Sequence, residues 1–357
     1  MQLNASDYLI FDKDTGTYIE NPEQAVRDDV EKHHWLNVGR TIIKDWRLYL
    51  MLVPMIAVFL LWRYAPMYEL LACFKIDDPT GVTPVADLSY RGFTNFQTLL
   101  LGGDALSISF WRAFRNTFLL SFYGLLFGFP MPIIVALFFN EIRSNIARSI
   151  YQVITYLPKF ISTVVMTSLI IMLVAPWDPT TQKEAGIVSQ FLNQLGLISD
   201  EAMKNGLLRD PTFFRAIYQI SGIWEGAGYD SIVFFAAIIA ISPTSYEAAQ
   251  IDGAGKMAQM KYVVLPSILS TIVIMLITRI GSLLSVGYEK VLLLYDQGTD
   301  VMYTTADVVS TFAQRNGILG GLQGLASAAE MMNNVVGMLL VIGANTIARK
   351  ASNVSLY

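Results

Sequence analysis

Six blocks of apolar residues, each about as long as a bilayer is thick, constrain this chain more than any other feature. The first covers residues 48–67, and about 20 residues rising about 1.5 Å each span the roughly 30 Å of membrane hydrocarbon. Residues 116–139, 153–176, 214–242, 265–287 and 330–347 form the others. Of the 357 residues, 54% are hydrophobic and 15% charged, where a soluble domain carries roughly a quarter charged residues. The fold expected is all-α: a polytopic membrane protein with six transmembrane helices.

Several classes fall away. A net charge of -4 leaves no basic face for nucleic acid, whose binding depends on phosphate neutralisation. Cys73 has no second cysteine to pair with, and His33 and His34 are the only imidazoles, so a Cys/His metal cage is not available. Residues 4–29 are polar and acidic, unlike a cleaved signal segment. No His-Glu-x-x-His or Gly-x-Ser-x-Gly motif is present, so no catalytic residue is assigned and the chain is not read as an enzyme.

An even number of spans puts both termini on one side. Arg40, Lys44, Arg47, Arg143, Arg148, Lys256, Lys261, Arg349 and Lys350 flank that side, against Arg112, Arg115, Lys183 and Arg209 on the other. The positive-inside rule makes the first side cytoplasmic. Residues 1–47 then form a cytoplasmic tail, and residues 48–357 the membrane domain. Trp35, Val38, Ile42, Trp46 and Tyr49 recur at helical spacing near the end of that tail; they suit an elbow in the headgroup layer or a helix packed on a partner. Residues 77–115, 177–212 and 288–329 are the outer connections. The second holds an amphipathic stretch, Ile187, Phe191, Leu192, Leu195 and Leu197, suited to the membrane surface or to a docking protein.

Two spans are interrupted. Pro130 and Pro132 follow Gly124 and Gly128, so helices approach closely at one end and lose backbone bonds at the other. The fourth span carries Gly222, Trp224, Glu225, Gly226, Gly228, Tyr229 and Asp230. A charge at mid-membrane costs roughly 2.5–3.5 kcal/mol, so Glu225 and Asp230 must face protein or water. Counting residues places Glu225 about 16 Å and Arg279 about 12 Å below the outer ends of their helices. Arg279 is therefore expected to pair with Glu225 or Asp230, along a transport path or as a purely structural ion pair.

Between the fourth and fifth spans lie Glu247-Ala248-Ala249, then Asp252-Gly253, then Val263, Leu265 and Pro266. Ser242-Pro243 makes a helix start with a capping hydroxyl, and Gly253 permits a left-handed stop. A second helix is expected from about Lys256. The small alanines keep this hairpin, residues 243–266, slim enough to seat in a groove of another protein. The motif resembles the EAA loop of ABC importer permeases, with Val263 where isoleucine is usual. More widely the chain resembles the maltose-permease-like superfamily of binding-protein-dependent transport inner membrane components, and within it the LplB-type oligosaccharide permeases. Pro66-Met67-Tyr68, Phe114-Arg115-Asn116-Thr117, Tyr156-Leu157-Pro158 and Gly222-Ile223-Trp224 carry that wider resemblance.

The resemblance implies a coupling hairpin, with Glu247, Ala248, Ala249, Asp252, Gly253, Leu265 and Pro266 serving contact with an ATPase. It implies a bacterial plasma membrane location, a second permease subunit, a dimeric ABC ATPase that binds ATP and Mg, and an extracellular substrate-binding lipoprotein. No cofactor is expected here, since Gly255-Lys256-Met257 is not a phosphate-binding loop. Sugar hydroxyls are held by aromatic faces, amides and carboxylates. Asn116, Trp224, Glu225, Tyr229, Asp230, Arg279, Asn333 and Asn334 are accordingly the substrate-path candidates. The competing reading is an ion-coupled secondary transporter, which also uses broken helices and buried charge.

Overall fold

The computed structural model describes residues 9–12, 17–20, 43–78, 80, 83–178, 180, 184–295 and 302–352. Of the proposed elbow, Trp35, Val38 and Ile42 lie outside the described residues. The chain forms two compact units, Met1–Glu69 and Leu70–Tyr357.

The first unit holds a short antiparallel hairpin, β1 (Leu9–Asp12) paired with β2 (Thr17–Glu20) in the register Leu9 to Glu20. It is a local strand pair that the polar, acidic reading of the tail did not anticipate. Helix α1 (Trp46–Phe59) follows, with Pro54 inside it. It runs on through a wide turn at Leu60–Tyr64 and a tighter stretch, Ala65–Phe74. Trp46–Phe74 is long and apolar enough to cross a membrane. Apart from Arg47 and Arg63 the segment from 46 to 64 carries no charge, as suits a helix solvated by lipid.

In the second unit, α2 (Thr94–Leu101) leads to α3 (Ala105–Tyr123). Asp104 caps α3 by accepting from the Ser107 amide at 2.8 Å. The span therefore begins eleven residues before the apolar block at 116, and the outer connection read as 77–115 is largely helical. A wide turn at Gly124–Gly128 joins α3 to α4 (Pro130–Glu141) without breaking the span. Phe129 donates to the Gly124 carbonyl there, so the two prolines begin a helix instead of interrupting one.

Helices α5 (Asn145–Tyr156) and α6 (Thr163–Leu173) make a pair bent by 101° at a break after Phe160, either a broken third span or a re-entrant loop. Two short helices, α7 (Ile187–Gln194) and α8 (Asp200–Asn205), precede the long α9 (Pro211–Ile239). The hairpin helices α10 (Pro243–Ile251) and α11 (Lys256–Gln259) follow. Then comes α12 (Leu269–Gly281), which is bent 63° from Lys256–Ser267. Helices α13 (Tyr288–Leu294) and α14 (Val309–Ala313) lead to α15 (Gln323–Ser352).

Four helices are unbroken candidate spans, and counting each bent pair as one gives six. The six-span expectation thus holds at the upper count, with the third and fifth crossings kinked.

Helix α9 is the central post. Ala136 of α4 and Phe234 and Ile238 of α9 pack with Val264 and Ile268 in one apolar cluster. Gly228 sits against α5, where an added Cβ would lie 2.1 Å from the Thr155 carbonyl oxygen. Only glycine fits so close a crossing.

Candidate functional site

Two regions answer to the sequence expectations. The first is the hairpin. Pro243 occupies the first turn of α10 as expected, but Ser242 does not cap it. Its hydroxyl lies 2.7 Å from that of Thr244, because the side chain two residues on offers a closer partner than the amide. The helix ends where Gly253 takes φ +76°, and the Gly253 and Ala254 amides donate back to Gln250 and Ala249. Gln259, buried, donates to the Ala254 carbonyl at 2.9 Å, which fixes α11 against the turn.

Tyr246 anchors the hairpin at its root, partly buried on the Ala136–Phe234 cluster. Burial pushes its phenol up, outweighing a hydrogen bond with Asn140. Lys256 reaches Glu141 at the end of α4, 3.2 Å away. Glu247, Ala248, Asp252 and Gly253 are exposed along one rim with Ile251 and Met257, and Ala249 is half-buried. Leu265 and Pro266 stand at the bend into α12.

The second region is a polar cleft of about 250 Å³ between the α3–α4 turn, α9, α12 and α13. Ser121, Tyr218, Gln219, Asp230, Arg279 and Lys290 give its polar character, while Gly124, Gly128, Gly222 and Gly226 keep its walls low. Gln219 donates to the Leu120 carbonyl, tying α9 to α3.

The expected partner of Glu225 is not Arg279. Lys290 Nζ lies 2.9 Å from Glu225 Oε2, with both side chains mostly buried. Counting along helices set the depth of Arg279 correctly enough to reach the cleft, but α13 folds back and brings a nearer cation. Among the described residues, no carboxylate lies within ion-pair distance of Arg279. Asp230 shares the cleft with it unpaired.

A second cleft, of about 210 Å³, meets the first at Ser285 and Val286. Glu330, Asn333 and Asn334 of α15 line it with Tyr288 and Ser310. Asn333 is 4% exposed. Its amide donates to the Leu284 carbonyl, and its oxygen has no partner.

The remaining candidates lie elsewhere. Asn116 is fully buried and donates to the Thr304 and Asp307 carbonyls while accepting from Arg215, so it clamps a loop and lines neither cleft. Trp224 and Tyr229 are exposed on α9, with Tyr229 edge-on to Phe160. Lys290 and Gln219 were not singled out from the sequence. Lys290 sits just before the apolar run Val291–Leu294, a signal that the search for a partner to Glu225 could have used.

Residues 128–348 match the family model described as binding-protein-dependent transport system inner membrane component. The chain belongs to this family. The permease is 32% identical to Protein LplB of Bacillus subtilis over 88% of its own length and 92% of that protein. It is 31% identical, with the same shares, to the polygalacturonan/rhamnogalacturonan transport system permease protein YteP of the same organism. A crystal structure of a bacterial ABC transporter importing the acidic polysaccharide alginate superposes with TM-score 0.74 at 38% identity, covering 88% of the permease and 99% of that chain. The permease is thus a membrane-embedded transport component of an ABC importer. Nothing among these relatives favours the ion-coupled carrier.

Proposed function

We propose that the permease imports carbohydrate, oligosaccharides above all, across a bacterial plasma membrane. It does so with a second permease subunit as a heterodimer, an extracellular substrate-binding lipoprotein and a dimeric ABC ATPase. The observation that carries this reading is the polar cleft, glycine-walled and rich in hydroxyl, amide and charged groups, in a bundle that carries the exposed hairpin. Its relatives import polygalacturonan, rhamnogalacturonan and alginate by their names, and all of these are carboxylated glycans. Arg279 is the cleft cation with no carboxylate within ion-pair distance among the described residues, and a guanidinium favours a uronate carboxylate through paired hydrogen bonds. Asp230 on the same wall suits sugar hydroxyls.

The ATP and Mg are held by the ATPase, and this chain supplies no cofactor. Closure of the ATPase dimer moves the hairpin as a lever, with Glu247, Ala248, Ala249, Asp252 and Gly253 at the contact. Leu265 and Pro266 pass the movement to α12, where Arg279 sits, and the bundle switches between inward-open and outward-open states. Asn333 and Asn334 extend the path past Ser285, while Trp224 and Tyr229 are free to stack on sugar faces in a pore shared with the second subunit. Both termini lie in the cytoplasm with the tail, residues 1–47, outside the membrane domain, residues 48–357.

The test is copurification followed by reconstitution. Extraction in mild detergent should recover an ABC ATPase and a second permease, and the assembled complex should hydrolyse ATP faster with binding protein carrying an oligouronate than with a neutral oligosaccharide. A chain that purifies alone and moves solute in vesicles without ATP would overturn the proposal.

A further inference from the structure

Helix α7 is apolar on two faces. Val188 and Leu192 pack into a local cluster with Val174, Ile198 and Leu207, yet Ile187 and Phe191 on the other face are exposed, at 75% and 58%, as are Leu195 and Leu197 in the turn that follows the helix. Of the polar residues of the helix, Gln194 shares the exposed side, while Gln190 and Asn193 do not cover it. Gln190 donates to the Ala185 carbonyl at 2.7 Å, and Asn193 to Asp200 at 2.8 Å, so each is turned back into the segment. A helix resting in water would show the reverse arrangement.

The position of α7 indicates what covers it. Its start is packed on the end of α6, where the Gly186 amide donates to Ala175 and a Cβ at Gly186 would lie 2.2 Å from the Leu173 carbonyl oxygen. Helix α6 belongs to a membrane crossing and exposes Val164, Val165 and Met172. The exposed apolar face of α7 thus adds to the apolar surface that α6 exposes. The junction carries an interfacial signature: Trp177 is partly exposed, and Lys204 Nζ lies 5.8 Å over its ring. Tryptophan and lysine gather at the headgroup level. Beside them is a cleft of about 260 Å³ walled by Ile171, Val174, Leu208, Leu293 and Leu294, with Arg209 in its lining. All of this lies at the Pro211 end of α9, which at about 1.5 Å per residue is about 43 Å from the coupling hairpin.

We infer that α7 is a membrane-interface anchor: Ile187 and Phe191 of the helix, with Leu195 and Leu197 of the turn after it, lie in the headgroup and acyl boundary of the leaflet facing away from the ATPase. A short amphipathic helix buries its apolar face several ångströms into that layer. Anchored there, it fixes the level of the kinked third crossing in the bilayer, a crossing that lacks a single straight helix to do so.

The experiment is site-directed spin labelling of the complete importer in liposomes of phosphatidylglycerol and phosphatidylethanolamine. Cysteines are introduced one at a time as Phe191→Cys and Leu195→Cys. Cys73 is fully buried, out of reach of the label. Both labels should collide more often with oxygen, which concentrates in lipid, than with a water-soluble nickel chelate. The inference is overturned if the nickel chelate dominates, since the face is then in water. It is also overturned if both labels are shielded from the two reagents only after loaded binding protein is added, since the face is then a protein dock. Ile187→Cys and Leu197→Cys, at equally exposed positions, decide the matter should either first variant fail to assemble.

Discussion

Lys290 Nζ lies 2.9 Å from Glu225 Oε2, an ion pair at the edge of the polar cleft that adds to the apolar packing of Val291 and Leu294 of α13 with Phe214 of α9. The same ammonium sits 5.5 Å over the Tyr218 ring, which adds an attraction of the cation for the aromatic face. Replacing one partner leaves the other charge poorly solvated. In a fully buried pair that costs roughly 3–5 kcal/mol, and the 13% and 18% exposure of these side chains places the loss at or below that range. Lys290→Met should therefore lower the midpoint of thermal unfolding in detergent, and the double variant with Glu225→Met should recover most of it. Equal midpoints for single variant, double variant and parent would show that the pair does nothing for stability.

Arg279 tests the cargo reading without disturbing that pair. Hydrogen bonds to charged groups contribute about 1.5–3 kcal/mol, so Arg279→Gln should raise the concentration of oligouronate needed for half-maximal transport on the order of 10- to 100-fold. Uptake of a neutral oligosaccharide, if any, should not change. Equal effects on both cargos would remove the guanidinium from cargo recognition.

Gly253 has φ +76° with open space around it, so a substitution there meets backbone strain and no clash. A β-branched residue in the left-handed region is penalised by roughly 1–2 kcal/mol, while asparagine visits that region readily. Gly253→Val should lose ATPase copurification and coupled transport, and Gly253→Asn should keep most of both. Pull-down of the ATPase together with vesicle uptake reads the difference.

Gly228 is the opposite case, limited by space. Because its Cβ would meet the Thr155 carbonyl oxygen at 2.1 Å, Gly228→Ala should separate α9 from α5 and cost on the order of 1–3 kcal/mol, as overpacked cores do. Thermal unfolding in detergent checks this. An unchanged midpoint would mean that the crossing is looser than its geometry implies.

Asp78 accepts from Thr80 and Thr83, and these hydrogen bonds hold its carboxyl well below the usual carboxylate value. A lowered folded-state value means that its stabilisation is present above the unfolded value, near pH 4, and is lost as pH falls further. Asp78→Asn should lower stability at neutral pH, where the ionised carboxylate holds Thr80 and Thr83, and flatten the acid side of the profile below about pH 4. A profile identical to the parent's would remove Asp78 from the acid response.

Much of the architecture was legible in the sequence because the signals are local. The four long spans, the start of α10 at Pro243, the stop at Gly253 and the new helix at Lys256 each depend on residues within a turn or two of one another. Where local signals competed, the reading slipped. Arg112 and Arg115 made the start of α3 look like a loop, although Asp104 caps it; Ser242 found Thr244 instead of a backbone amide; and Pro130 began a helix after a wide turn that hydropathy does not register.

The site divided along the same line. Asp230 and Arg279 were found by asking which charges lie at membrane depth, and the structure brings both to one cleft. Asn116 looked the same in sequence but serves as a clamp on the loop at Thr304 and Asp307, more than 180 positions away. Lys290 was missed for the same reason.

The sequence by itself determined that this chain lives in a membrane, where its helices run, and that a slim hairpin projects between two of them, since hydropathy, capping and backbone permissiveness act over a few residues. Tertiary structure alone decided which cation meets Glu225, which asparagine faces a cleft, and how sharply the third and fifth crossings bend. Those outcomes depend on how distant segments pack, and a charge or amide takes whichever partner the packing brings within about 3 Å.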